Sequence, residues 1–175
     1  MKVLAKVVAV LVVAVPFIVG PQSNAAADRF QEALRAFDEG KYAMAMRLWR
    51  PLAERGDADA LFGIAMMYDN GYGLARDYAA AAKWYRRAAE RGSVMAQHNL
   101  GLMHFNGEGV AQDYVRAHMW LDIASVNGDR SSRTGKKIVA EQMTGVQIAE
   151  AKTLARMWLA QHGRKQLAQN MKNPS

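Results

Sequence analysis

The sequence predicts an all-α solenoid of stacked antiparallel helix pairs, about eight helices in all, closed by a C-terminal capping helix. Three observations predict it. Residues 41–73 reappear in kind and order thirty-six positions later, at 77–109. Ala45 aligns with Ala81, Leu48 with Trp84, Trp49 with Tyr85, Ala53 with Ala89, and Asn70 and Gly71 with Asn106 and Gly107. A third copy starts on the same beat with Asp113, Tyr114, Ala117, Trp120, Asn127 and Gly128. A fixed period of this length marks a repeat architecture. Within each period the apolar residues recur at helical spacing and glycine closes each run, while no stretch alternates convincingly enough for a strand.

Helices are expected at about 28–39, 41–55, 58–70, 78–91, 94–106, 114–127, 131–142 and 145–162. The first carries one apolar face, Phe30, Leu34 and Phe37, and only half the repeat pattern, as a solenoid's opening helix should. The fourth shows the repeat most clearly. Ala81, Trp84, Tyr85, Ala88 and Ala89 fall on one face, with Lys83, Arg86, Arg87 and Glu90 on the other. Gly92 ends it, since glycine takes the left-handed conformation common at helix ends. Ser93 can cap the next helix, where Ala96, Leu100, Met103 and His104 share a face and Asn106 and Gly107 give the stop. Ala45, Ala81 and Ala117 recur at one position and Ala60 and Ala96 at another. Such small residues let helices approach, with Trp49, Tyr85 and Trp120 filling the gaps beside them.

The third copy loses register after Gly128: Lys136 and Lys137 stand where Leu100 and Gly101 stood. Thr144 and Gln147 then read as a capping box. The helix after them carries Ile148, Ala151, Ala155, Trp158 and Leu159 on one side, as a lid over the last open core. The organisation expected is a leader at 1–27, a solenoid at 28–162 with repeats near 41–76, 77–112 and 113–143 and a cap at 145–162, and a polar tail at 163–175.

The leader reading rests on Lys2 and Lys6, an apolar run at 7–19, and small residues through Ala27. The run is too short for a bilayer, which takes about 20 residues. A mature chain beginning between Ala26 and Asp28 is expected, periplasmic or secreted, with no stable membrane anchor after cleavage. The chain has no cysteine, which excludes a lipid-anchored lipoprotein, a disulfide framework and thiol catalysis. The net charge is +7, and +5 without the two leader lysines. No basic stretch is interleaved with stacking aromatics, so nucleic acid is not an expected partner.

The segment running through Ala96, Gln97, His98, Asn99, Leu100, Gly101, Leu102, Met103, His104, Phe105, Asn106, Gly107, Glu108, Gly109 and Val110 resembles the Sel1-like repeat, a relative of the tetratricopeptide repeat. So do Asp113 and Tyr114 after it and residues 82–92 before it. The resemblance covers roughly 41–128, and residues 143–159 resemble the tail that often ends such proteins. Two positions depart from the family pattern: His104 stands at a usual tyrosine, and Ile64 and Ala65 at a usual leucine-glycine pair. The resemblance implies a right-handed superhelix that holds protein partners. In exported bacterial relatives it is associated with envelope regulation, surface-polymer assembly and host interaction. Cysteine-rich relatives linked to β-lactams depend on paired cysteines, which this chain lacks.

Candidate chemistry is sparse. His98 and His104 lie six apart, on different helix faces. No metal-binding histidine pattern occurs. His104 reads as a packed, hydrogen-bonded core residue, and His118, beside Met119 and Trp120, as helix surface or edge. The glycine loops at 70–73 and 106–109 follow no strand and recur with the repeat, so they read as turns and not phosphate cradles. Asp57 and Asp59 suit a helix start. Arg130, Arg133, Lys136 and Lys137 read as a solvated face or, less simply, as a docking patch for an acidic partner. One stripe repeats with the period at i, i+4, i+7: Phe62, Met66 and Asp69, then His98, Leu102 and Phe105. It is either a groove for a peptide or helix or packing between repeats. The expectation is a non-catalytic scaffold or adaptor of the bacterial envelope, without cofactor or metal, holding a protein partner on its concave face. The alternatives are a cell-wall or β-lactam-directed hydrolase and a periplasmic regulator masking an envelope receptor.

Overall fold

The computed structural model describes residues 25–172, with the side chains of 25–162. The expected leader lies outside the described residues up to position 24, as does the tail from 173. Eight helices follow one another among the described residues: α1 Ala25–Asp38, α2 Tyr42–Glu54, α3 Ala58–Asn70, α4 Tyr78–Glu90, α5 Val94–Asn106, α6 Tyr114–Val126, α7 Arg130–Ala140 and α8 Gly145–Lys172.

Side-chain caps set most of the starts. The Asp57 carboxylate accepts from the backbone N–H of Asp59 at 3.1 Å and of Ala60 at 2.8 Å. Asp77 accepts from Ala80 and Asp113 from Arg116, each at 2.9 Å. Ser93 accepts from Ala96, and Asp129 from Ser131 and Ser132. Each cap satisfies donors that a helix start leaves without intrahelical partners. The expected box opens α8: the Thr144 N–H donates to Gln147 Oε1 at 2.8 Å, and the Gln147 N–H to Thr144 Oγ1 at 3.3 Å. At the other ends Gly71 and Gly107 both stand at φ +76, donating to the carbonyls of Met67 and Met103. α8 runs to Lys172 and does not stop near residue 162. Gly163 weakens a helix there, but arginine, lysine, glutamine, leucine and alanine follow it, all good helix formers.

Helices pack most closely within the pairs α1·α2, α3·α4 and α5·α6. The period is the one the sequence predicts, but its phase moves by one helix relative to repeats at 41–76 and 77–112. The tight connections cause this. The Asp77 N–H reaches back to the Tyr68 carbonyl at 2.9 Å, and the Asp113 N–H to the His104 carbonyl at 2.8 Å. α4 and α6 are thereby folded onto the helix before them. Two glycines fix the spacing between successive pairs. A Cβ at Gly73 would strike the Tyr42 side chain, and one at Gly109 the Tyr78 backbone, the same contact one period on.

The core follows the predicted pattern. Ala45, Ala60, Ala81, Ala96 and Ala117 are all fully buried, with Trp49 and Tyr85 buried beside them. In the third copy Leu121 holds the place of Trp49 and Tyr85, while Trp120 meets Trp158 of α8 edge-on at 5.6 Å. α1 differs from expectation. Leu34 is 38% exposed, and Ala33 and Ala36 are buried in its stead. Alanines bring α1 close to α2, and Phe30 and Phe37 flank the Trp49 ring at 6.3 and 5.5 Å. The described part of α8 lies on α6, as does α7.

Candidate functional site

The periodic stripe lies on α3 and α5, and all six of its residues are half-buried. Phe62 places its ring 5.7 Å from that of Tyr85 on α4, and Phe105 sits 5.7 Å from Tyr114 on α6. Met66 packs against the main core cluster. Asp69 accepts a 3.0 Å hydrogen bond from the Tyr85 hydroxyl. Burial raises the Asp69 pKa from its ordinary value, with the Tyr85 bond working against it. The stripe is therefore a seam between helices that keeps one edge open.

His98 is also engaged. Its Nδ1 lies 2.8 Å from Ser132 Oγ and 3.1 Å from Asp129 Oδ2, tying α5 to the start of α7. Serine, histidine and aspartate together invite comparison with a hydrolytic triad. In a triad the serine and the carboxylate engage opposite ring nitrogens. Here both engage Nδ1, and Ser132 is fully buried. This geometry fastens two helices and offers no path from serine through imidazole to carboxylate. Burial acts to raise the Asp129 pKa, but the Ser132 hydrogen bonds and the His98 charge outweigh it, and the net shift is downward.

The other core histidines are more deeply enclosed. His104 is 3% exposed and hydrogen-bonds the Ala111 backbone, as its face predicted, with only its Nδ1 unpaired. His118, expected at the surface or edge, is 2% exposed, and its Nδ1 is likewise unpaired. α7 and α8 both pack on α6, which α6 read alone could not indicate. Burial lowers both pKa values. Among the described residues no three histidine or acidic side chains converge as a metal site.

The basic stretch divides in two. Arg130, Arg133 and Lys137 are exposed, while Lys136 pairs with Asp122 of α6. Thr134 and Ile138 of α7, with Glu141 just past its end, stand thirty-six residues after His98, Leu102 and Phe105. There the stripe is uncovered: Ile138 is 49% exposed, and Thr134 and Glu141 are exposed too. In the sequence Ile138 is masked by the loss of register at Lys136 and Lys137. Counting one more period from Leu102 finds it.

The Sel1 repeat profile matches residues 58–93 and 94–129, the frame in which α3 pairs with α4 and α5 with α6. Among solved structures, the chain is similar to a protective antigen of uropathogenic Escherichia coli that displays an SLR fold. The identity is 28% and the TM-score 0.75, over 86% of this chain and 33% of that one. The chain thus spans about a third of that antigen's length. It is also similar to a Sel1 repeat protein from Oxalobacter formigenes, at 30% identity and TM-score 0.59, over 64% of this chain and 87% of that one. No curated protein matches it.

Proposed function

This chain belongs to the Sel1 repeat family, and from that premise we propose that it is a non-catalytic scaffold of the bacterial envelope, holding a protein partner along the stripe shared by α3, α5 and α7. The observation that carries this reading is Ile138. An isoleucine 49% exposed, at the place where the earlier repeats bury Met66 and Leu102 partway, is a ready anchor for an apolar side chain of a partner. The exposed cations Arg130, Arg133 and Lys137 on the same helix suit the polar rim that surrounds such an anchor. Export is supported by the leader-like residues 1–27.

The hydrolase reading has one observation in its favour, the meeting of Ser132, His98 and Asp129, and the shared nitrogen removes it. The experiment is quantitative binding to a partner isolated from envelope extract, using wild type and Ile138→Asp. The scaffold reading expects the variant to keep its thermal transition and lose most of its affinity. Equal affinity for the two proteins would show the stripe to be uninvolved. Fractionation of cells carrying the full chain checks the location, with the mature protein expected in the periplasm or medium.

A further inference from the structure

A shallow, open pocket lies between α6 and α8, lined by Asp122, Ala149, Lys152, Thr153 and Arg156. Its positive charge comes from two turns of α8, residues 149–156. Ala149 leaves room where a longer side chain would fill the space. Lys152 and Arg156 stand four residues apart on the same face. The Thr153 hydroxyl donates to the Ala149 carbonyl at 2.9 Å, and Arg156 Nη2 donates to the Thr153 oxygen at 3.2 Å. Threonine thus holds the guanidinium at the pocket. Among the described residues neither Lys152 nor Arg156 forms an ion pair. The one acid of the lining, Asp122, is already paired with Lys136. Two uncompensated cations therefore line the same hollow.

We propose that this pocket binds a carboxylate, the acidic side chain of a protein partner, through Lys152 and Arg156. The proposal rests on the reading that the chain binds a protein, and adds a second, electrostatic contact to the apolar one at Ile138. An arginine fork beside a lysine matches a carboxylate's two oxygens. The carboxylate is assigned to a protein side chain because the chain is read as a protein binder, and free phosphate, which the same cations would attract, is the competing source that the test separates. His118, one turn before Asp122 on α6, supplies a built-in reporter. Burial is the main reason its pKa is low, the Lys152 and Lys136 charges lower it further, and Asp122 works against them. A carboxylate that neutralises Lys152 moves His118 protonation to higher pH.

The test uses the full mature protein and a blocked tetraglutamate peptide, with tetraglutamine and inorganic phosphate as comparison probes. NMR follows the His118 ring and the Lys152 and Arg156 side chains. Expected are saturable shifts with tetraglutamate, none with tetraglutamine, and an upward displacement of the His118 titration. Lys152→Gln with Arg156→Gln should weaken binding roughly tenfold or more, the loss of about one charge-assisted hydrogen bond or greater. Both positions are exposed, so the double variant should fold. Tetraglutamine binding equally well, phosphate binding more tightly than tetraglutamate, or an unaffected double variant would each overturn the proposal. So would the absence of any saturable shift, which would leave two solvated cations. Because the probe is a peptide, such a failure leaves binding at Ile138 to be judged by its own variant.

Discussion

The Tyr85 hydroxyl donates to the Asp69 carboxylate at 3.0 Å, joining the second helix of one repeat to a stripe residue on its first. Asp69 has no counterpart one period on, where Phe105 stands, so this bond is particular to the first repeat. Tyr85→Phe leaves a half-buried carboxylate without its donor. It should cost about 0.5–1.5 kcal/mol in urea unfolding near neutral pH, the net worth of one hydrogen bond, since water can reach the half-buried acceptor. Asp69→Asn keeps an acceptor and removes the burial of a charge, so it should be close to neutral.

Two glycines should respond in opposite directions. Gly109 has φ +67, and a Cβ there would meet the Tyr78 backbone. Gly109→Ala combines left-handed strain of about 1–2 kcal/mol with a clash against a rigid neighbour. A loss of at least about 2 kcal/mol is expected in denaturant unfolding. Gly145 begins α8 with open space around its Cα. Gly145→Ala should raise stability by roughly 0.4–1 kcal/mol, because alanine restricts the unfolded chain without disturbing the folded one.

Acid should weaken the C-terminal half. Burial lowers the pKa of His104 and His118 below the usual histidine value of 6.5. In the unfolded chain both take up protons as pH falls through about 6.5, while the folded chain resists until lower pH. Their contribution to stability is therefore full above that value and declines below it. Urea midpoints at pH 7.5 and pH 5 should show this decline. His104→Tyr, which copies Tyr68 from the preceding repeat, should make the dependence shallower. An unchanged slope in that variant would remove His104 from the account.

Much of this molecule is legible in its sequence, because the signals that set it are local. Asp57, Asp77, Asp113 and the Thr144 box cap the helices they precede, and Gly71 and Gly107 end the ones they follow. The alanine positions predict where helices meet, and all of them are buried. What escaped depends on which element covers which. His118 looks like an edge residue until α7 and α8 pack on α6. Leu34 has the spacing of a core residue, but Ala33 and Ala36 bring α1 closer along a neighbouring line. The stripe showed its period on α3 and α5, yet its burial is decided by Tyr85 and Tyr114 on the paired helices. At Ile138 the same period produces an exposed residue, since α8 packs on α6.

Phe62 illustrates why the choice of variant matters. Its ring packs on Tyr85, so Phe62→Ala should lower stability by about 2 kcal/mol, somewhat less than the roughly 3–5 kcal/mol of a fully buried phenylalanine. Lost binding in that variant would mix a weakened fold with a missing contact. Thermal unfolding beside the binding curve separates the two.

The central claim is that the stripe ending at Ile138 is where a partner protein is held. The most direct measurement is the affinity of wild type and Ile138→Asp for the same purified partner, with both proteins' thermal transitions recorded. The account predicts matching transitions and an affinity at least about tenfold weaker in the variant, in keeping with an anchor residue worth roughly 1–2 kcal/mol or more. Matching transitions with unchanged affinity would contradict it.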